Sequence, residues 1–81
     1  MTIRVKLFAR ARDLAGAEEV TVVLPEPATV AELRRALARA YPALAALLER
    51  SALAVDNEFA DDTLKVHPGA EVALLPPVSG G

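Results

Sequence analysis

Few side chains in this sequence have the chemistry to act on a substrate. The single histidine, His67, stands before Pro68-Gly69, a turn signal, and reads as a solvent-exposed turn residue. Asp61-Asp62 suggests a metal site or an acid pair, but adjacent residues in a turn diverge and no further ligands accompany them. Ser79 has no histidine near it in sequence to activate its hydroxyl. Gly16 stands alone, so no glycine-rich phosphate loop opens a helix. There is no cysteine, which removes disulfides, thiolate metal sites and any side-chain thiol. The group left to react is the α-carboxylate of the last residue, Gly81.

The stretch that leads to it is Leu75-Pro76-Pro77-Val78-Ser79-Gly80-Gly81. Pro76 and Pro77 each fix φ, and Pro77 keeps Pro76 out of the α region, so the segment is expected to leave the body extended. At roughly 3.1 Å per residue, residues 76–81 would project roughly 19 Å, enough to enter a partner's cleft. Gly80 and Gly81 have no Cβ and let backbone pass where no side chain fits. A carboxylate is a poor electrophile until it is activated. An ATP-dependent partner can make it an acyl adenylate, and a sulfur donor can displace AMP to leave a thiocarboxylate. Ionised sulfur is then a strong nucleophile, for the reason that thiolates are. A frayed end is the competing reading; the proline pair and the apolar strand before it weigh against that.

A tail needs a body to hold it. Eighty-one residues allow one small domain, and 53% hydrophobic with 25% charged residues is ordinary for a globular protein. The net charge of -2 argues against a nucleic-acid partner. With no apolar run of membrane-spanning length and no signal-peptide core, no membrane partner and a cytoplasmic location are expected.

Ile3 to Ala9 alternates, with Ile3, Val5 and Leu7 on one side and Phe8 on the other, and predicts a strand. Arg10 to Gly16 is charged and ends in glycine, and reads as a loop. Glu19 to Leu24 alternates again until Pro25 and Pro27 stop it. Thr29-Val30-Ala31-Glu32 is a capping box, and Val30, Leu33, Leu37 and Ala40-Tyr41 recur at helical spacing up to Pro42. On that helix Glu32, Arg34, Arg35 and Arg39 are expected to face water. Pro42 to Arg50 predicts a short second helix. Leu53 to Val55 is a short strand, Asp56-Asn57-Glu58 turns it, and Phe59-Ala60 returns. Asp61-Asp62-Thr63 is a turn, and Glu71 to Leu75 is the last strand.

The order strand, strand, helix, strand, strand predicts an α+β fold: a mixed sheet of four to five strands with one main helix on one face. The natural arrangement sets the last strand parallel to the first at the sheet centre. That is the β-grasp, or ubiquitin-like, architecture, here over residues 1–75, with residues 76–81 as an extended tail ending in Gly-Gly. Parity has a consequence. If Ile3, Val5 and Leu7 face the helix, Phe8 and Leu75 face the opposite side, beside the tail, where Phe59 could join them in an apolar patch.

With these residues together, the chain resembles the ubiquitin-like sulfur carrier family, and within it the small, sulfur carrier subunit of molybdopterin synthase. The likeness rests on Leu7-Phe8-Ala9, Arg12-Asp13-Leu14-Ala15-Gly16, Thr29-Val30 with Glu32-Leu33, and Ala54-Val55-Asp56-Asn57. It continues through Pro68-Gly69-Ala70-Glu71-Val72-Ala73-Leu74-Leu75 into Pro-Pro-Val-Ser-Gly-Gly, which is its most specific part. The resemblance implies that an E1-like adenylating enzyme spends ATP to activate Gly81, and that a sulfur donor protein completes the thiocarboxylate. It implies further that the tail, Pro76, Pro77, Val78, Ser79 and Gly80, threads into the synthase large subunit, where sulfur passes to cyclic pyranopterin monophosphate. Phe8, Phe59 and Leu75 would dock the body, and the chain would bind no cofactor or metal and catalyse nothing alone. Carriers for thiazole synthesis, tRNA thiolation or cysteine synthesis, and ubiquitin-like protein modifiers, share the terminal Gly-Gly and stay open at this point.

Overall fold

In the computed structural model, which describes residues 1–77, the first strand sets the layers. Along β1 (Thr2–Leu7), Ile3, Val5 and Leu7 are buried while Thr2, Arg4 and Lys6 are exposed. β2 (Glu19–Val23) pairs antiparallel to it, Ile3 opposite Val22 and Val5 opposite Val20. β7 (Glu71–Leu75) lies parallel on its other side, Val5 opposite Val72 and Leu7 opposite Leu74. β4 (Ala52–Val55) and β5 (Glu58–Ala60) complete a five-stranded sheet of order β2-β1-β7-β4-β5. The expected parallel pair of first and last strands does occupy the centre.

One helix covers the inward face. α2 (Val30–Ala40) begins at Thr29, whose hydroxyl accepts from the Glu32 amide at 3.3 Å while the Glu32 carboxylate accepts from the Thr29 amide at 3.1 Å. Such a cap stabilises by about 1 kcal/mol. Val30, Leu33 and Leu37 are fully buried against the sheet, and the helix stops at Tyr41, before Pro42. A 3₁₀ turn (Pro42–Leu44) and α3 (Ala45–Leu48) follow and bring Leu44, Leu47 and Leu48 into the core. Among the described residues no helix is long and apolar enough to cross a membrane.

Three expectations need correction. Residues 10–16 are not a loop: Ala9–Ala15 form α1, closed by Gly16 at φ 70, whose amide bonds the Arg12 carbonyl at 2.9 Å. Alanine, arginine and leucine are good helix formers and a left-handed glycine is the usual stop, so the sequence held the signal. The strand before it accordingly ends at Leu7 rather than Ala9. A second ribbon also exists, β3 (Ala28–Thr29) against β6 (Lys65–Val66), too short for any periodicity to reveal. Finally, Arg34 does not simply face water. Its guanidinium donates to the carbonyls of Leu48 and Ser51 (2.9 Å for the latter) and pairs with Asp62 at 3.5 Å, pinning α2 to the chain entering β4.

The end of the sheet where β7 begins is closed by polar groups. Val55 pairs with Glu58, so Asp56 (φ 52) and Asn57 (φ 69) form a two-residue hairpin turn with both φ positive. The Asp56 carboxylate accepts from the Glu71 amide at 3.0 Å and from His67 Nε2 at 2.8 Å, while His67 Nδ1 faces the Pro68 carbonyl at 2.8 Å. Both ring nitrogens meet acceptors, which favours the imidazolium. The Asp56 hydrogen bond, then the Pro68 carbonyl, raise the His67 pKa above 6.5; the His67 bond, then the Glu71 amide, lower that of Asp56 below 3.8. Raised His67 adds stability that is complete below 6.5 and lost as pH rises through its folded value. Lowered Asp56 adds stability present above 3.8 and lost as pH falls through its folded value. Thermal denaturation of His67→Ala should therefore show its largest deficit between these two values and a smaller one in alkali. A deficit independent of pH would show that the pair contributes no charge-dependent stability.

Candidate functional site

The face of the sheet opposite α2 carries the other half of each strand's alternation. Cross-strand partners share a face, so the register defines rows. One runs Phe59, Ala54, Ala73, Lys6, Glu19 across all five strands. The next row toward the end of β7 holds Ala52 opposite Leu75, and the β1 register carried one residue further brings Phe8 beside Leu75. On the other side lie Arg4, Glu71 and Thr21. The open face therefore grades from apolar, where the chain leaves the sheet, to charged at the Asp56–His67 end.

Phe8 owes its position to a sharp change of backbone. It is extended (φ -127, ψ 154), so its side chain lies opposite that of buried Leu7. Ala9 then takes φ 51, in the left-handed region that costs an alanine about 1 kcal/mol or more, and the chain turns into α1. Phe8 lines a shallow depression with Lys6, Ala54 and Ala73. Its relative exposure is 44%, and that of Phe59 is 79%. Leu75 is half-buried, Pro76 half-buried and Pro77 exposed. Three large apolar side chains thus stand around small alanines.

The sequence-derived patch of Phe8, Leu75 and Phe59 is brought onto one face, and the orientation of Phe59, which periodicity could not supply, follows from its pairing with Ala54. Pro76 and Pro77 follow directly on β7, which ends at Leu75. Val78, Ser79, Gly80 and Gly81 lie outside the described residues. Sequence reasoning missed the role of Ala52 and Ala54: their parity, alternating with buried Leu53 and Val55, was the available signal. It also missed Lys6 and Glu19, which bound the apolar row with opposite charges, Glu19 lying 4.0 Å from Arg4.

Conventional catalytic groups lie elsewhere. Asp61 accepts from the Thr63 amide at 2.9 Å and from its hydroxyl, which closes a turn and lowers its pKa. Asp62 faces Arg34, and among the described residues no three His, Cys, Asp or Glu side chains cluster as metal ligands. What this surface can do chemically is recognise: an apolar centre with small residues admits a partner's large side chains, and a charged margin fixes its orientation.

Comparison with known proteins gives the relatives of this sequence and fold. Residues 5–81 match the model of the ThiS family. The molybdopterin synthase sulfur carrier subunit of Caenorhabditis briggsae is 37% identical over 83 residues, covering 100% of this chain and 99% of that protein. The crystal structure of Haloferax volcanii small archaeal modifier protein 1 superposes with a TM-score of 0.85 at 32% identity, covering 95% of this chain and 98% of the other. A chain in the complex of subunits 1 and 2 of molybdopterin-converting factor from Helicobacter pylori superposes with a TM-score of 0.70 at 26% identity, each covered in full.

An exposed recognition surface should tolerate a charge that the core would not. Phe59→Asp is expected to change stability by about 0.5 kcal/mol or less, as surface substitutions do. Leu53→Ala, at a position with 0% exposure, should cost about 2–5 kcal/mol. Denaturant titration followed by circular dichroism measures both. A comparable loss in Phe59→Asp would assign this ring to the core.

Proposed function

The chain belongs to the ThiS family, and from that premise we propose that it is the sulfur carrier subunit of a molybdopterin synthase. The position of Leu75 carries this reading. It is the last residue of β7, half-buried beside Phe8 on the open face, so a docking surface continues directly into the segment that ends at Gly81. Full-length likeness to molybdopterin synthase sulfur carrier subunits supports it.

In this reading an E1-like adenylating enzyme binds the body, and the Gly81 carboxylate attacks the α-phosphorus of ATP with loss of pyrophosphate. A persulfide on a sulfur donor protein then displaces AMP to form an acyl disulfide, and a thiol cleaves its S–S bond, leaving a thiocarboxylate on Gly81 and a disulfide between the two thiols. The large synthase subunit, a partner consistent with the two-subunit Helicobacter pylori complex, receives residues 76–81. There the thiocarboxylate sulfur bonds to a carbon of cyclic pyranopterin monophosphate as an oxygen substituent leaves, and water cleaves the acyl C–S bond of the resulting thioester, leaving sulfur on the pterin and a carboxylate on Gly81. Gly80 keeps the threaded backbone thin. Pro76 and Pro77 reduce the conformational entropy lost on insertion. The large subunit supplies the proton-transfer groups, and ATP is a substrate of the activating enzyme rather than a cofactor of this chain.

A second reading, protein modification, is favoured by the likeness to small archaeal modifier protein 1. Both use an activated Gly81; they differ in the acceptor, a sulfur nucleophile or a lysine amine. Coexpression with the activating enzyme separates them. The carrier reading predicts intact protein whose mass has gained the difference between one sulfur and one oxygen, and the modifier reading predicts a ladder of higher-mass conjugates.

Two outcomes test the mechanism. Deleting Gly81 or adding one residue after it should abolish sulfur transfer with an unchanged melting temperature, and retained transfer would remove the tail from the chemistry. Phe8→Asp or Leu75→Asp should weaken binding to the large subunit by about tenfold or more, from lost apolar burial alone. Calorimetric titration showing wild-type affinity would exclude this face as the dock.

A further inference from the structure

β2 is an edge strand: among the described residues no strand lies on its outer side in the five-stranded sheet. Leu24 donates to Met1 and Glu18 accepts from Leu7, so residues of even number point their backbone groups at β1. By alternation Glu19, Thr21 and Val23 point theirs away from the sheet. All three are exposed, Val23 at 76%. An edge of five residues rich in valine and threonine is a template for another strand.

The template fits itself. Set antiparallel about Thr21, two copies of Glu-Val-Thr-Val-Val would place each Glu19 opposite a Val23, so that no like charges meet across the pair. Each Glu19 is also faced by Arg4 of its own chain at 4.0 Å. The two central hydrogen bonds of such a pair would need both Thr21 carbonyls. That carbonyl is already taken. The Tyr41 hydroxyl donates to it at 2.7 Å, from the residue that closes α2. The phenol therefore holds one of the two acceptor directions of that oxygen, and the amide of an incoming strand would have to compete with it there.

We propose that Tyr41 is an edge guard: by occupying the Thr21 carbonyl it prevents a second copy of this chain from pairing along β2. The guard keeps the body monomeric, which leaves the docking face and the tail available to successive enzymes. That last clause rests on the carrier reading, whereas the guard itself does not.

Sedimentation velocity over a concentration series tests it. Wild-type protein and Tyr41→Phe differ by the hydroxyl alone; Tyr41→Ala also removes the ring. Wild type should be monomeric, and both variants should dimerise with an association constant raised by about tenfold or more. Adding Thr21→Pro to Tyr41→Phe removes an outward amide that the dimer needs, and should restore the monomer. Circular dichroism identifies which variants are folded, and Tyr41→Phe alone suffices if the alanine variant is not. Monomeric Tyr41→Phe, a dimer that survives Thr21→Pro, or a wild-type dimer dissolved by Thr21→Pro would each overturn the proposal. Sulfur transfer by monomeric protein is read separately, so failure of the guard and failure of the carrier reading are distinguishable.

Discussion

The parallel pairing of β1 with β7 is the constraint on which the rest of the structure depends. Setting Val5 against Val72 and Leu7 against Leu74 commits every residue of the two central strands to a face. Their buried members meet Val30, Leu33 and Leu37 of α2 in one core. Their remaining members, Lys6, Ala73 and Leu75 among them, then have no choice but the open side. A slip of one residue would turn Leu74 out and Leu75 in, exchanging core and recognition surface at once. The same pairing takes the chain out of the sheet from a central strand, beside Phe8.

On the carrier reading, a small domain that hands its own end to other proteins faces opposing demands. Its body has to stay folded with Phe8 and Phe59 in water, which forgoes the burial that two phenylalanines would otherwise contribute. Compensation is distributed: the capping box on α2, the three-way hold of Arg34 and the Asp56 clasp each fix a connection away from the open face. Ala9 in the left-handed region adds local strain beside Phe8, at the margin of that surface. Rigidity is thus supplied by the covered half of the molecule, and the face proposed for docking lies on the uncovered half.

Much of this was legible in the sequence because it rests on period and punctuation. Alternation in Ile3 to Leu7 and Val72 to Leu74, and the Thr29 to Glu32 box, are local patterns, and each became the expected element. Parity set Phe8 and Leu75 on the open face, whereas Phe59 needed the pairing of β4 with β5 to be placed there. What escaped has non-local causes. Arg34 looks like a solvated residue until α3 and β4 bring two carbonyls to it, and His67 looks like a bare turn residue until the β4–β5 turn sets Asp56 against it. The hydrogen bond of Tyr41 to Thr21 likewise spans the sheet and a helix end. α1 is the exception, a local signal overlooked because its charges suggested a loop.

The central claim is that the transferred sulfur leaves from the terminal carbonyl of this chain, delivered by docking of its open face. Tracing the atom tests it most directly. The chain is loaded with radiolabelled sulfur by its activating enzyme and donor, purified, and mixed with the large subunit and cyclic pyranopterin monophosphate in a single turnover. The account predicts that label appears in the pterin product in step with its loss from the protein, which returns to the mass of the free carboxylate. Sulfurated product without label, while the carrier keeps its own, would contradict it.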